Sequence, residues 1–299
     1  MHVWLVWALC DWRPGRPKRR VGARSLVAFG GDVTASNLLS YFSRNADNML
    51  IGWYWGAGPL GIYSRAYQLF MLPVQQINAP LNSVILPALA RLQSDLKRFR
   101  EYYLKALYVV AAIGMPLAAL LGILSEEIIQ ILLGEKWMGV VPVFKVLSVA
   151  AVLQPMTNST GWLFTSLGRT KLMLRWTFIG TLTVVLSFVV GLPYGPVGVA
   201  LAYAIARFVL IPPAFLIATM GTTIKAKDIM RWCAFPVIAT ILGATAAVFL
   251  RILIKGNLSG LLVMIACTTA MVLVCGVVLF FDRVSRPILR DVVGSFGRA

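Results

Sequence analysis

The sequence predicts an all-α, polytopic transmembrane helix bundle of about eight spans, preceded by a truncated helix stub. Three observations carry this. The chain of 299 residues is 59% hydrophobic and only 13% charged, with a mean hydropathy of +0.80, whereas a soluble domain holds about 25% charged residues. Its apolar runs reach the roughly 20 residues needed to cross a bilayer and alternate with short polar loops. Its basic residues, finally, are sorted by side of the membrane.

The elements follow in order. Residues 1–11 hold an apolar stub, Val3 to Cys10, too short to span a bilayer. A basic loop over 12–25 comes next. A signal peptide places its positive charge before the apolar run, so the stub reads instead as the end of a helix whose start is missing, and the chain as the C-terminal part of a longer protein. Spans are expected at 27–51, 62–86, 104–124, 140–166, 172–192, 197–219, 232–250 and 260–281. They group as a six-helix lobe (26–220), two additional helices (229–282) and a basic tail (283–299). Prolines break several spans: Pro73, Pro80, Pro87, Pro116, Pro142, Pro155, Pro212 and Pro213. Membrane helices tolerate proline where neighbours or water satisfy the freed backbone groups.

The net charge of +17 comes from 28 Lys and Arg against 11 Asp and Glu. With the Arg13–Arg24 loop placed in the cytoplasm and sides alternated from there, 21 of the 28 fall inside. Lys136, Arg251 and Lys255 fall outside, and Arg44, Arg65, Lys145 and Arg207 within or at the rim of spans. Such a bias puts both termini in the cytoplasm. It also argues against nucleic-acid binding, which needs one continuous basic stripe.

Enzyme signatures are missing. The single histidine, His2, lies far from the four cysteines, Cys10, Cys233, Cys267 and Cys275, so no metal or cofactor site is expected. No phosphate-binding glycine loop, nucleophile elbow or zinc-protease motif occurs. Glu126, Glu127 and Glu135 lie in one amphipathic segment, Ser125 to Trp137, which reads as an interfacial helix with Trp137 as anchor.

The chemistry is concentrated in charges at membrane depth, which are costly and face a cavity or a bundle interior. In the first span Asn37, Tyr41, Arg44 and Asn48 share one helical face. Arg44 is an anion-binding candidate. Arg44 and Asp47, three apart, form the alternative of a structural pair. In the second span Arg65 either binds an anion or snorkels to the surface between Tyr63 and Tyr67, and Gln68, Gln75 and Asn82 stack seven apart as a wet face. Lys145, followed by the polar run Gln154, Thr157, Asn158, Ser159 and Thr160, and Arg207 are lone cations in apolar helices, each awaiting a partner or a ligand anion. Asp32 and Asp47 are the carboxylates available for ion coupling.

Five segments, Ser43 to Gly52, Gly58 to Tyr67, Leu86 to Gln93, Leu132 to Trp137 and Gly191 to Ala200, resemble the polysaccharide flippases of the MOP (multidrug/oligosaccharidyl-lipid/polysaccharide) superfamily, the O-antigen, colanic-acid and exopolysaccharide exporters. The resemblance implies the second lobe of such a transporter plus two extra helices. It implies a cationic cavity that turns an undecaprenyl-pyrophosphate-linked oligosaccharide across the bacterial inner membrane by alternating access. It also implies a missing N-terminal half and polysaccharide polymerisation machinery as partners. Two other readings stay open, a drug or cation antiporter of the MATE type and a non-transporting membrane fragment.

Overall fold

The computed structural model describes residues 23–254 and 259–282, and the stub, most of the basic loop and the basic tail, including Cys10, lie outside them. The described residues are helical almost throughout. The helices are α1 (Ala23–Trp55), α2 (Ala57–Arg91), α3 (Leu96–Ile123), α4 (Ser125–Leu132), α5 (Val141–Val152), α6 (Gln154–Ser166), α7 (Thr170–Gly191), α8 (Gly195–Thr219), α9 (Ala226–Ile254) and α10 (Gly260–Phe281), with short 3-10 turns at Glu135–Val140 and Leu192–Tyr194.

Each expected span falls on a helix, with the fourth divided between α5 and α6. Pro155 has no N–H to give Ala151, and the helix bends by 48° at this break. By length and hydropathy alone, four helical stretches can cross a membrane, or up to five if the bent pair is one span. This is fewer than eight for two reasons. Helices α1 and α2 carry too many Asn, Gln, Asp and Arg side chains to pass on composition. Thr170–Thr219, counted as one stretch, contains two helices that fold back on each other.

The α7–α8 hairpin depends on glycine. Gly195 adopts φ 75°, a left-handed conformation open to glycine, and the backbones at Gly191 and Gly198 touch, leaving no room for a Cβ at either. Phe188 and Tyr203 then stack across the pair, 5.9 Å between ring centres. Helix α1 runs parallel to α7. Thr170 Oγ1 donates to Asp32 Oδ2 (2.9 Å) near one end and Trp55 Nε1 donates to the Leu192 carbonyl (2.7 Å) at the other.

Two apolar clusters fill the bundle. One gathers Ile51, Phe70, Phe144, Leu147, Phe188 and Val199, the other Leu89, Phe99, Leu107, Trp162, Leu163 and Phe215. The outside is apolar as well. Phe178, Leu186 and Val190 on α7, Phe249 and Ile252 on α9 and Val272 and Phe280 on α10 are all exposed, as a lipid-facing surface requires. The chain is a multi-pass membrane protein.

Helix α9 does more than flank the lobe. It packs along α3 and α10, and a seam of Ala239, Gly243 and Ala247 lets α10 approach closely. Ion pairs tie it at both ends, to Arg100 of α3 through Asp228 (2.9 Å) and to Glu126 and Glu127 of α4 through Arg251 (2.8 Å each). Cys233, Cys267 and Cys275 are buried free thiols. Among the described residues no cluster of His, Cys, Asp and Glu has the grouping to hold a metal ion.

Candidate functional site

A cavity of about 360 Å³ lies between α1, α2, α6, α7 and α8, where the two apolar clusters meet. Its size falls within the usual range of small-molecule sites. From α1 it takes Ser40, Ser43, Arg44 and Asp47, from α2 Tyr67 and Met71, and from α8 Tyr203, Arg207, Leu210 and Ala214. Helix α6 supplies Gln154, Thr157, Asn158, Thr160, Gly161 and Phe164, and α7 supplies Met173, Trp176, Thr177, Gly180, Thr181, Val184 and Phe188.

Two of the four expected cations reach this cavity. Arg44 enters it without an ion pair or hydrogen bond to any described residue. Arg207 points a guanidinium nitrogen at Thr157 Oγ1, a long contact of 3.4 Å, and lies 6.0 Å above the Tyr203 ring. Neither forms a salt bridge among the described residues, so both keep most of their donors for a ligand. The guanidinium fork suits carboxylate or phosphate oxygens.

The expected Arg44–Asp47 pair does not form. Asp47 is 1% exposed. It accepts from Tyr63 Oη (2.8 Å) and from the Asn48 backbone N–H (2.7 Å). A buried carboxylate is tolerable when donors satisfy it, and here a tyrosine of the next helix does so in place of the arginine one turn away.

The wet face of α1 is also turned from the one expected. Ser40, Ser43, Arg44 and Asp47 line the cavity, whereas Asn37 and Tyr41 are exposed on another side and Asn48 accepts from Ser64 Oγ (2.9 Å). Arg44 sits on the edge common to both faces. Among the α2 residues Gln68 and Gln75 are exposed and outside the cavity, and Asn82 accepts from Trp162 Nε1 (2.6 Å), joining α2 to α6.

The other two cations lie elsewhere. Arg65 is exposed, its guanidinium carbon 5.9 Å from the Trp137 ring centre and one nitrogen 3.3 Å from Gln68 Oε1. Trp137 is therefore half-buried under an arginine. Lys145 Nζ bonds Glu126 Oε1 at 2.8 Å. The carboxylate missing from its own span is supplied by the α4 segment, in which Glu127 is buried and not at the surface. Asp32, bonded to Thr170, holds α1 against the start of α7 and lies outside the cavity lining.

The cavity also contains residues the site prediction did not include. Gln154, Thr157, Asn158 and Thr160 stood out as a polar run, yet their common wall appears only once the Pro155 bend turns α6 inward. Ser43, Trp176, Thr177 and Thr181 gave no signal, since isolated hydroxyls and a tryptophan are ordinary in a membrane helix.

The chain is similar to known polysaccharide biosynthesis proteins. The profile of the family described as "Polysaccharide biosynthesis protein" matches residues 1–142. The chain is similar to the lipopolysaccharide biosynthesis protein WzxC of Escherichia coli (strain K12), 26% identical over 83% of this chain and 51% of that protein. It is similar to the teichuronic acid biosynthesis protein TuaB of Bacillus subtilis (strain 168), 32% identical over 58% of this chain and 36% of that one. Among solved structures it shares the fold of the lipid II flippase MurJ in its inward closed conformation, with a TM-score of 0.67 and 16% identity over 97% of this chain and 59% of that one. The chain thus spans about half the length, or less, of these curated relatives.

Proposed function

We propose that this chain, a relative of the polysaccharide biosynthesis proteins with the fold of a lipid-carrier flippase, forms one lobe of a transporter that turns a lipid-linked oligosaccharide across the bacterial inner membrane. A lobe equivalent to the unmatched part of the relatives closes the cavity, and the polysaccharide polymerisation machinery receives the product. The basic loops keep both termini in the cytoplasm.

The observation that carries this reading is the pair of arginines without carboxylate partners among the described residues, Arg44 and Arg207, in a cavity between membrane helices. An unpaired cation at membrane depth is costly, and a multiply charged pyrophosphate offsets that cost when it binds. Alternating access then needs only that the cavity open to one side at a time while the guanidinium forks hold the anion. A cation antiporter is less well supported. Of the two expected carboxylates, only Asp47 lines the cavity, and it is already satisfied by Tyr63 and Asn48.

The test is export in the host. Arg44→Ala and Arg207→Ala are expected to block appearance of the polysaccharide at the cell surface while the protein stays at normal amount in the membrane. Normal export by both variants would rule the reading out.

A further inference from the structure

The cavity is not uniform along its length. The contacts Asp32–Thr170 and Trp55–Leu192 fix α1 and α7 in parallel with an offset of 137 to 138 residues. Arg44 is therefore level with about residue 182 of α7. Trp176 and Thr177 lie five or six residues nearer the Thr170 end, roughly 8–9 Å away at 1.5 Å per residue. The charged groups, Arg44, Asp47 and Arg207, cluster at one level, and the wall around Trp176 is neutral.

Two independent features mark that neutral wall. The first is its hydroxyls. Many Ser and Thr in these helices return their hydroxyl to a backbone carbonyl one turn back, as Thr183 does to Ile179 (2.9 Å), Thr240 to Pro236 (2.7 Å) and Thr269 to Ile265 (2.8 Å), a common arrangement for hydroxyls in an apolar helix. Thr177, on the same helix as Thr183, makes no such bond among the described residues, and the Asn158 amide, which also lines the cavity, is equally free. The second is space. Gly161 of α6 lines the cavity one turn beyond Thr157, toward the start of α7, and a Cβ built on it meets nothing within 4 Å. Glycine inside a helix costs about 1 kcal/mol against alanine, and no packing contact calls for it here.

We infer that this end of the cavity is a subsite for a neutral sugar unit, and that Thr177, Asn158 and the Trp176 ring, with the room left by Gly161, select which sugar is carried. A pyranose presents hydroxyls to amides and hydroxyls and an apolar face to an aromatic ring. The inference rests on the anion-binding reading of Arg44 and Arg207, which hold the adjoining pyrophosphate.

The experiment compares ligands on the purified full chain in phospholipid nanodiscs. Binding of polyprenyl pyrophosphate is measured beside the same lipid bearing glucose, galactose or N-acetylglucosamine. The native chain is expected to prefer at least one sugar-bearing lipid by about tenfold, the equivalent of one net hydrogen bond. Gly161→Leu, which fills the space, and Thr177→Val, which keeps shape but removes the hydroxyl, are expected to erase that preference and leave the bare lipid bound as before. Gly161→Ala, which fits, is expected to keep it. A native chain that binds all the lipids alike, or a Gly161→Leu variant that weakens bare and sugar-bearing lipids equally, overturns the subsite and leaves the arginine site standing. If the native chain binds neither kind of lipid, both readings are overturned together.

Discussion

Replacing Arg251 by methionine removes one of the charges that tie the last two helices to the lobe. Its Nε bonds Glu127 and its Nη2 bonds Glu126, each at 2.8 Å, while Lys145 holds the other oxygen of Glu126. The side chains of Arg251 and Glu127 are 16% and 9% exposed, that of Lys145 42%. Glu127 Oε2 already has no hydrogen-bond partner among the described residues, so losing Arg251 removes from this buried carboxylate the one cation the described residues give it. Removing one partner of a buried pair costs about 3–5 kcal/mol. The lower end of that range applies, because Glu126 keeps Lys145 and some solvent. Lys145→Met breaks only a half-exposed pair and is expected to cost about 1 kcal/mol or less. Arg251→Met combined with Glu127→Leu removes both charges and is expected to return most of the loss. Reversible unfolding in mixed micelles measures all three. Equal losses for the two single variants, or a double variant as unstable as Arg251→Met, would refute a buried network centred on Arg251.

Other outcomes follow from single contacts. Gly191→Ala places a methyl group 2.5–2.8 Å from backbone atoms of Gly198 and Val199. It is expected to lower stability by about 1–3 kcal/mol, while Gly180→Ala on the same helix, where a Cβ meets nothing within 4 Å, is expected to raise it by up to about 1 kcal/mol. Tyr63→Phe takes from Asp47 its only side-chain donor among the described residues and is expected to cost about 1–3 kcal/mol. In a double-mutant cycle the loss should shrink when Asp47→Asn is already present, and full additivity would show that the 2.8 Å contact does no stabilising work.

Much of the fold was legible before any coordinate. Hydropathy is a local property, so apolar runs and polar interruptions located the helices, and the unusual content of α1 marked it as facing something other than lipid. What failed was rotation. Arg44, Asp47 and Asn48 lie within about one turn of each other, and a helical face read from spacing leaves its neighbours undefined. The structure turns Ser40, Ser43 and Asp47 into the cavity and leaves Asn37 and Tyr41 outside. The apolar shell of Tyr63 decided the partner of Asp47, and a loop helix nineteen residues away decided that of Lys145. The polar run after Pro155 was visible as a run, but its direction needed the 48° bend.

The sequence by itself determined that this is a helical, multi-pass membrane chain, because burying backbone polar groups in lipid leaves few other solutions. It also narrowed the chemistry to a few cations at membrane depth. Only the tertiary structure sorted those cations. Lys145 is neutralised by Glu126 from another helix, Arg65 rests on Trp137 and Arg44 and Arg207 remain unpaired by any described carboxylate in one cavity. The physical reason is that the cost of a charge depends on what packs against it in space, and in a bundle those neighbours come from residues far apart in the chain.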